Sequence, residues 1–212
     1  MYYLFFDTET GGTNSEVHSL LTAYFAVCNA DLQIIDELYL QLKPSDTSKM
    51  VVSAEALQVN NINLEEHIKD PNTLTYEEGY RVLFGFLEKN KIKGKRKSFI
   101  PCGHNVQFDK DFIWAQLMTQ EVWEKNVHYR TLDTSIACNL LKDGDLIPQD
   151  LGSLTSLVSY FKIPIKDAHN AKGDILMNIE VYKSIKNMMR SLKKGSIGST
   201  SVNSSLLEIV ED

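Results

Sequence analysis

Asp7 and Glu9 stand one residue apart in the run FDTETGG, directly after an apolar stretch over residues 1–6. Alternate residues of an extended chain point to one face, so the spacing predicts that the two carboxylates converge. Two like charges about 4 Å apart repel by roughly 4 kcal/mol at an effective dielectric near 20, so a cation is expected beside them and a metal ion is the first candidate. Two more acids sit where such a site needs them. In GHNVQFD, Asp109 falls in the first turn of an expected helix that follows a strand, and in HNAKGD, His169 lies in a loop with Asp174 about one turn into the last helix. Sheet-based folds collect ligands at the C-terminal edges of their strands, and Asp7 and Glu9 lie at such an edge. Each acid alone has a plainer reading: Asp7 and Glu9 as a turn aided by Gly11 and Gly12, Asp109 and Asp174 as ordinary first-turn helix acids. Their joint occurrence favours a shared site.

The elements that must position these residues follow from pattern. Residues 20–29 and 32–42 are β-rich apolar runs joined by Ala30-Asp31, which predicts a hairpin beside the first strand. A short helix is expected over 53–57. Over 75–88, Tyr76, Tyr80, Leu83, Phe84 and Leu87 recur at helical spacing. A buried strand over 97–102 precedes a helix over 107–120, and helices over 151–161 and 171–192 complete the set, with Asn170 as an N-cap. This order predicts an α/β fold, a mixed central sheet of about five strands flanked by helices. One domain over 1–192 is expected, followed by a flexible tail over 193–212 in which the polar GSIGSTSVNSS leads to LLEIVED, a partner-binding or unstructured end.

With 212 residues, 43% of them hydrophobic, the chain suits one substantial core. The apolar start is broken by Asp7 and lacks a basic leader, so no secretory signal is expected, and no stretch reaches membrane-spanning length. Cys28, Cys102 and Cys138 are far apart and odd in number, which points to buried free thiols in a reducing, cytoplasmic compartment rather than to disulfides or zinc. The net charge of −6 argues against a protein that coats nucleic acid, although acids gathered at a metal site inflate the count. The basic run KNKIKGKRK over 89–97 reads first as a solvated loop and second as a phosphate-tracking patch. His18, His67 and His128 read as surface or packing residues, and the early Tyr and Phe excess as core.

Asp-x-Glu on the first strand, His-Asn-x-x-Phe-Asp midway and His-x4-Asp near the end together resemble the DEDD 3′→5′ exonucleases, in the histidine-base subgroup that includes DnaQ-like and ribonuclease T-like enzymes. The resemblance spans roughly residues 1–190. It implies a ribonuclease H-like fold, two divalent ions (Mg²⁺ or Mn²⁺) and removal of 5′-mononucleotides from the 3′ end of single-stranded or frayed nucleic acid, with DNA favoured over RNA. Carried across, it makes Asp7, Glu9, Asp109 and Asp174 the metal ligands and His169 the general base. Carboxylates are hard oxygen ligands suited to such ions, and a histidine near its ordinary pKa of about 6.5 can accept a proton at neutral pH. Asp111 competes with Asp109 but points nearly the opposite way on a helix, and the Phe-Asp motif selects Asp109. Substrate contacts implied are Thr10, Gly11, Gly12, Glu55 and Asn60. The chain departs from the family pattern at Asn60 for the commoner His, at Asn61 for Gly, and at Gly12 where many relatives have Thr. Asp133 in LDT, with His104 and Asn105, is expected to brace the site rather than bind metal. The partners implied are single-stranded DNA or RNA 3′ ends and, through the tail, a polymerase or another replication or repair protein, with no membrane. The alternatives are a catalytically idle interaction module on the same fold, an RNA-trimming exoribonuclease, and an endonuclease.

Overall fold

Asp7 and Glu9 lie on the first strand, as their spacing predicts. In the computed structural model, which describes residues 1–164 and 171–196, β1 runs Tyr2–Thr10, beyond the apolar stretch that announced it. β2 (Leu20–Cys28) and β3 (Ile34–Lys43) form the expected hairpin, antiparallel to each other and to β1. Its turn is organised by Asn29, whose side-chain oxygen accepts from the N–H groups of Asp31 and Gln33. Then follow α1 (Ala54–Asn60), α2 (Leu64–Lys69), β4 (Thr73–Thr75), α3 (Tyr76–Asn90) and β5 (Phe99–Gly103). The remainder is α4 (Val106–Phe112), a π-helical turn at Ile113–Leu117, α5 (Gln120–Asn126), β6 (Leu132–Asp133), α6 (Thr134–Asp143), α7 (Leu154–Tyr160) and α8 (Ala171–Ser196).

The sheet has six strands in the order β4-β3-β2-β1-β5-β6, with β5 parallel to β1 and β2 antiparallel to it. This is the mixed, helix-flanked ribonuclease H-like α/β architecture anticipated from the sequence. The expected count of about five strands falls short because β4 and β6, three and two residues long, are too short to show an alternating pattern. The helix expected over 107–120 is instead α4 and the π-helical turn, ending at Leu117. α2, α5 and α6 were not anticipated; each is six to ten residues long and derives its stability from packing rather than from intrinsic helix propensity. α8 continues to Ser196, past the domain boundary expected at 192. His169, the Asn170 cap and residues 197–212, which make up most of the expected tail, lie outside the described residues.

Apolar side chains cover both faces of the sheet, which is why every residue of β2 is buried. On one face Leu4, Phe6 and Phe25 pack against Leu83, Phe112 and Trp123 from α3, α4 and α5. On the other, Phe5, Tyr24 and Cys102 pack against Ile175 and Ile179 of α8. β1 therefore sends odd-numbered side chains toward α8 and even-numbered ones toward α4. All three cysteines are buried free thiols. Among the described residues no helix is long and apolar enough to cross a membrane.

The basic run over 89–97 enters β5 at its N-terminal end, where Phe99 pairs with Tyr2. Asp7 lies five residues further along β1, roughly 16 Å away at the rise of a strand. Lys97 there approaches Glu124 at 3.9 Å and lies 5.6 Å from the Tyr129 ring centroid. The position favours the solvated-loop reading over phosphate tracking at the acidic end.

Candidate active site

Asp7, Glu9 and Asp174 bring carboxylate oxygens within 4.8 Å of one another. The first two share the α8-facing side of β1. Asp174 is delivered from α8 itself, where Ile175 and Ile179 anchor the helix on the sheet and leave the acid, in the first turn, at the strand end.

Asp109 arrives from the other side. β5 ends at Gly103 and the chain turns through Asn105, a left-handed residue at φ 65°, into α4. Asp133 holds that turn: its carboxylate accepts from the N–H of Asn105 (3.0 Å) and of Val106 (2.8 Å) while capping α6 through Ser135 N–H (2.8 Å). His104 Nδ1 is 3.0 Å from Thr134 Oγ1. These three residues brace the turn. Pairing of β1 with β5 stops at Phe5 and Cys102, so the N–H of Thr8, which faces that side, has no strand partner. Asp109 Oδ1 takes it at 2.9 Å and accepts from the Thr8 hydroxyl at 2.7 Å. Asp109 is 3% exposed.

Crowding these acids raises their pKa values. Burial first, then the charges of Asp109, Glu9 and Asp174, lifts Asp7 well above the ordinary carboxylate range. Burial and Asp174 push Glu9 up to about 7. Burial raises Asp109 too, and the two hydrogen bonds from Thr8 hold that rise back. A divalent cation would reverse the electrostatic logic, favouring every ionised form. The donor set fits one: oxygen-only carboxylates at mutual distances a single ion can bridge match Mg²⁺ or Mn²⁺ rather than a thiolate-seeking metal.

A cleft of about 520 Å³ opens beside Glu9, walled by Thr10, Gly12, His18, Glu55, Asn60 and Phe108 among others. Its floor is the turn after β1, tied down on several sides. Gly11 N–H donates to Ser19 O (2.7 Å), Ser53 N–H to Gly11 O (2.7 Å), and Asn60 Nδ2 to Thr10 O (2.9 Å). Gly11 has no room for a side chain, since a Cβ would lie 2.4 Å from Val51 O. Asn61 closes α1 in the left-handed region at φ 53°, a conformation that asparagine tolerates better than most residues other than glycine.

Thus four of the five expected catalytic residues meet at one sheet end, and the expected substrate contacts lie on or beside the adjoining cleft. His169 lies outside the described residues. Sequence reading gave no role to Thr8 or Gln116, used Phe108 only as part of the Phe-Asp motif, and read His18 as a surface or packing residue. Thr8 is flagged only by its place between two acids. Gln116, in the π-helical turn, accepts from Leu20 N–H (2.8 Å) and donates to Ser15 O (3.1 Å) and His18 O (2.7 Å), and nothing in the sequence marks it.

No protein-family model matches the chain, and no curated protein matches it in sequence. Solved structures do share its fold. E. coli exonuclease I in complex with a dT13 oligonucleotide aligns over 91% of this chain and 42% of its own at TM-score 0.68 and 17% identity. Exonuclease I from Methylocaldum szegediense aligns over 88% and 40% at TM-score 0.69 and 16% identity. The zinc-bound form of an E. coli exonuclease I–single-stranded DNA complex gives TM-score 0.65 at 18% identity over 91% and 43%. The chain spans about two fifths of the length of these proteins.

Proposed function

We propose that the protein is a divalent-metal-dependent 3′→5′ exonuclease that shortens single-stranded or frayed nucleic acid, DNA in preference to RNA, and releases 5′-mononucleotides. The observation that carries this reading is the convergence of Asp7, Glu9 and Asp174, with Asp109 bonded to the intervening Thr8, beside a cleft that Thr8 and Glu9 line. The fold shared with exonucleases crystallised on single-stranded oligonucleotides supports it.

In this reading Asp7, Glu9, Asp109 and Asp174 hold two Mg²⁺ or Mn²⁺ ions. Such ions, when bound, supply Lewis-acid stabilisation of the phosphate oxygens and make water more acidic. The chain's own work is positional. β1 and α8 set three carboxylates on one side, and Thr8 fixes one oxygen of Asp109 so that the other is left for the ion. Thr10, Gly11, Gly12, Glu55 and Asn60 receive the terminal nucleotide in the cleft, the glycines allowing close approach. His169, placed by its sequence position five residues before Asp174, accepts the proton of the attacking water. The three buried thiols support the reading of a reducing, cytoplasmic setting. A polymerase or repair partner engaged through the tail is part of the proposal on sequence grounds alone.

Incubating a 5′-labelled single strand with the protein and Mg²⁺ or Mn²⁺ tests the reading. A progressive ladder from the 3′ end supports it. Internal cuts would make the protein an endonuclease, and an intact strand would make it an idle module on the same fold. Matched DNA and RNA strands decide the substrate, and faster loss of RNA would replace the DNA preference with an exoribonuclease.

A further inference from the structure

His18 was expected to be a surface or packing residue. Its ring instead forms part of the cleft wall and occupies the space that a side chain at position 12 would need: a Cβ on Gly12 would lie 2.5 Å from the ring. The residue is held from several sides. Its N–H donates to Asn14 O (2.8 Å), its carbonyl accepts from Gln116 Nε2 (2.7 Å), and its Nδ1 accepts from Asn14 N–H (3.2 Å). The last contact decides the tautomer. With the Nδ1 lone pair engaged, a neutral imidazole must carry its proton on Nε2. That Nε2–H makes no hydrogen bond among the described residues. An oriented donor without an acceptor, in the wall of a cleft beside Glu9, is arranged for a ligand.

We propose that His18 contacts substrate, donating from Nε2 to an acceptor oxygen of the terminal nucleotide, and that Gly12 is glycine to admit its ring. The inference rests on the nuclease reading and deepens it. The contact is made through binding rather than proton transfer, because the clustered carboxylates come from β1 and α8 while His18 belongs to the β1–β2 connection, its ring against Gly12. Gln116 gives the π-helical turn a role here, since π-turns recur at functional sites and this one anchors the loop that carries His18.

The test is steady-state cleavage of a short labelled strand by wild type, His18→Ala, His18→Gln, Gly12→Ala and the Gly12→Ala/His18→Ala double variant, with thermal melts to verify folding. His18→Ala should raise KM about tenfold with kcat changed less than about twofold, the size expected for one lost hydrogen bond to a charged or strongly polar acceptor. His18→Gln, which keeps an N–H donor, should recover part of that loss. Gly12→Ala should raise KM in the presence of His18, because the ring must move, and add little in the His18→Ala background. An unchanged KM in His18→Ala beside an active wild type overturns this inference alone, as does a Gly12→Ala effect that adds in full. A wild type that leaves the strand intact overturns the nuclease reading and this inference with it.

Discussion

Thr8 and Asp109, 101 positions apart in the chain, are joined by two hydrogen bonds onto a single carboxylate oxygen, one from the Thr8 amide and one from its hydroxyl. The pair locks α4 to β1 at the strand end. It also explains why a residue between two acids, pointing to the opposite face from both, belongs to the same site.

Thr8→Val keeps the shape and removes the hydroxyl donor. Asp109 would keep only the amide, so the variant should lose about 1–3 kcal/mol of stability in a denaturant titration. Loss of the orienting contact should also weaken the apparent Mg²⁺ affinity about 10- to 100-fold, read from the metal dependence of cleavage. A variant as active and as stable as wild type would show that Asp109 is placed by α4 alone.

The raised carboxylate pKa values give the protein a pH-dependent stability of definite sign. Between the ordinary carboxylate pKa near 4 and the folded value of about 7 for Glu9, the folded protein binds more protons than the unfolded chain. Stability therefore falls as pH rises through that window. In chelator, Tm should drop from about pH 5 to about pH 8, and Mg²⁺ should restore most of the loss at the upper pH and little at the lower. Asp7→Asn should flatten the drop and abolish cleavage while remaining folded. A Tm that rises across the window would contradict the crowding at Asp7, Glu9, Asp109 and Asp174.

His169→Ala should lower kcat by about 10²–10⁴-fold, the usual contribution of a positioned general base, with little change in Mg²⁺ dependence. Wild-type rates across neutral pH would remove His169 from the chemistry.

Deleting residues 197–212 should leave cleavage of a short strand within about twofold, since every residue placed at the cleft precedes them. A collapse in rate with the Tm unchanged would make the tail part of the site.

The sequence alone determined which acids could be brought to one sheet end. Period-two alternation puts Asp7 and Glu9 on one face of a strand whatever packs around it, and the first turn of a helix after a strand or loop places Asp109 and Asp174 near strand ends. These are local consequences of backbone geometry, legible in a single chain. The mixed, helix-flanked sheet followed from the same local periodicities, and its ribonuclease H-like form was implied by the resemblance that the motifs carry. What tertiary structure decided was which groups meet across long separations. The two-residue β6 exists only because β5 offers it an edge. The π-helical turn replaces a regular helix where Gln116 finds Leu20, Ser15 and His18, contacts about a hundred residues distant that no local pattern encodes. Thr8 reads as an ordinary strand residue until the end of the β1–β5 pairing leaves its N–H for Asp109. His18 reads as a surface histidine until the turn over Gly12 brings its ring into the cleft wall. Residue type and spacing specify which acids can share a cation; the folded backbone specifies which donors orient those acids and which face the ligand, because hydrogen bonds between distant segments depend on positions that only the assembled sheet and helices define.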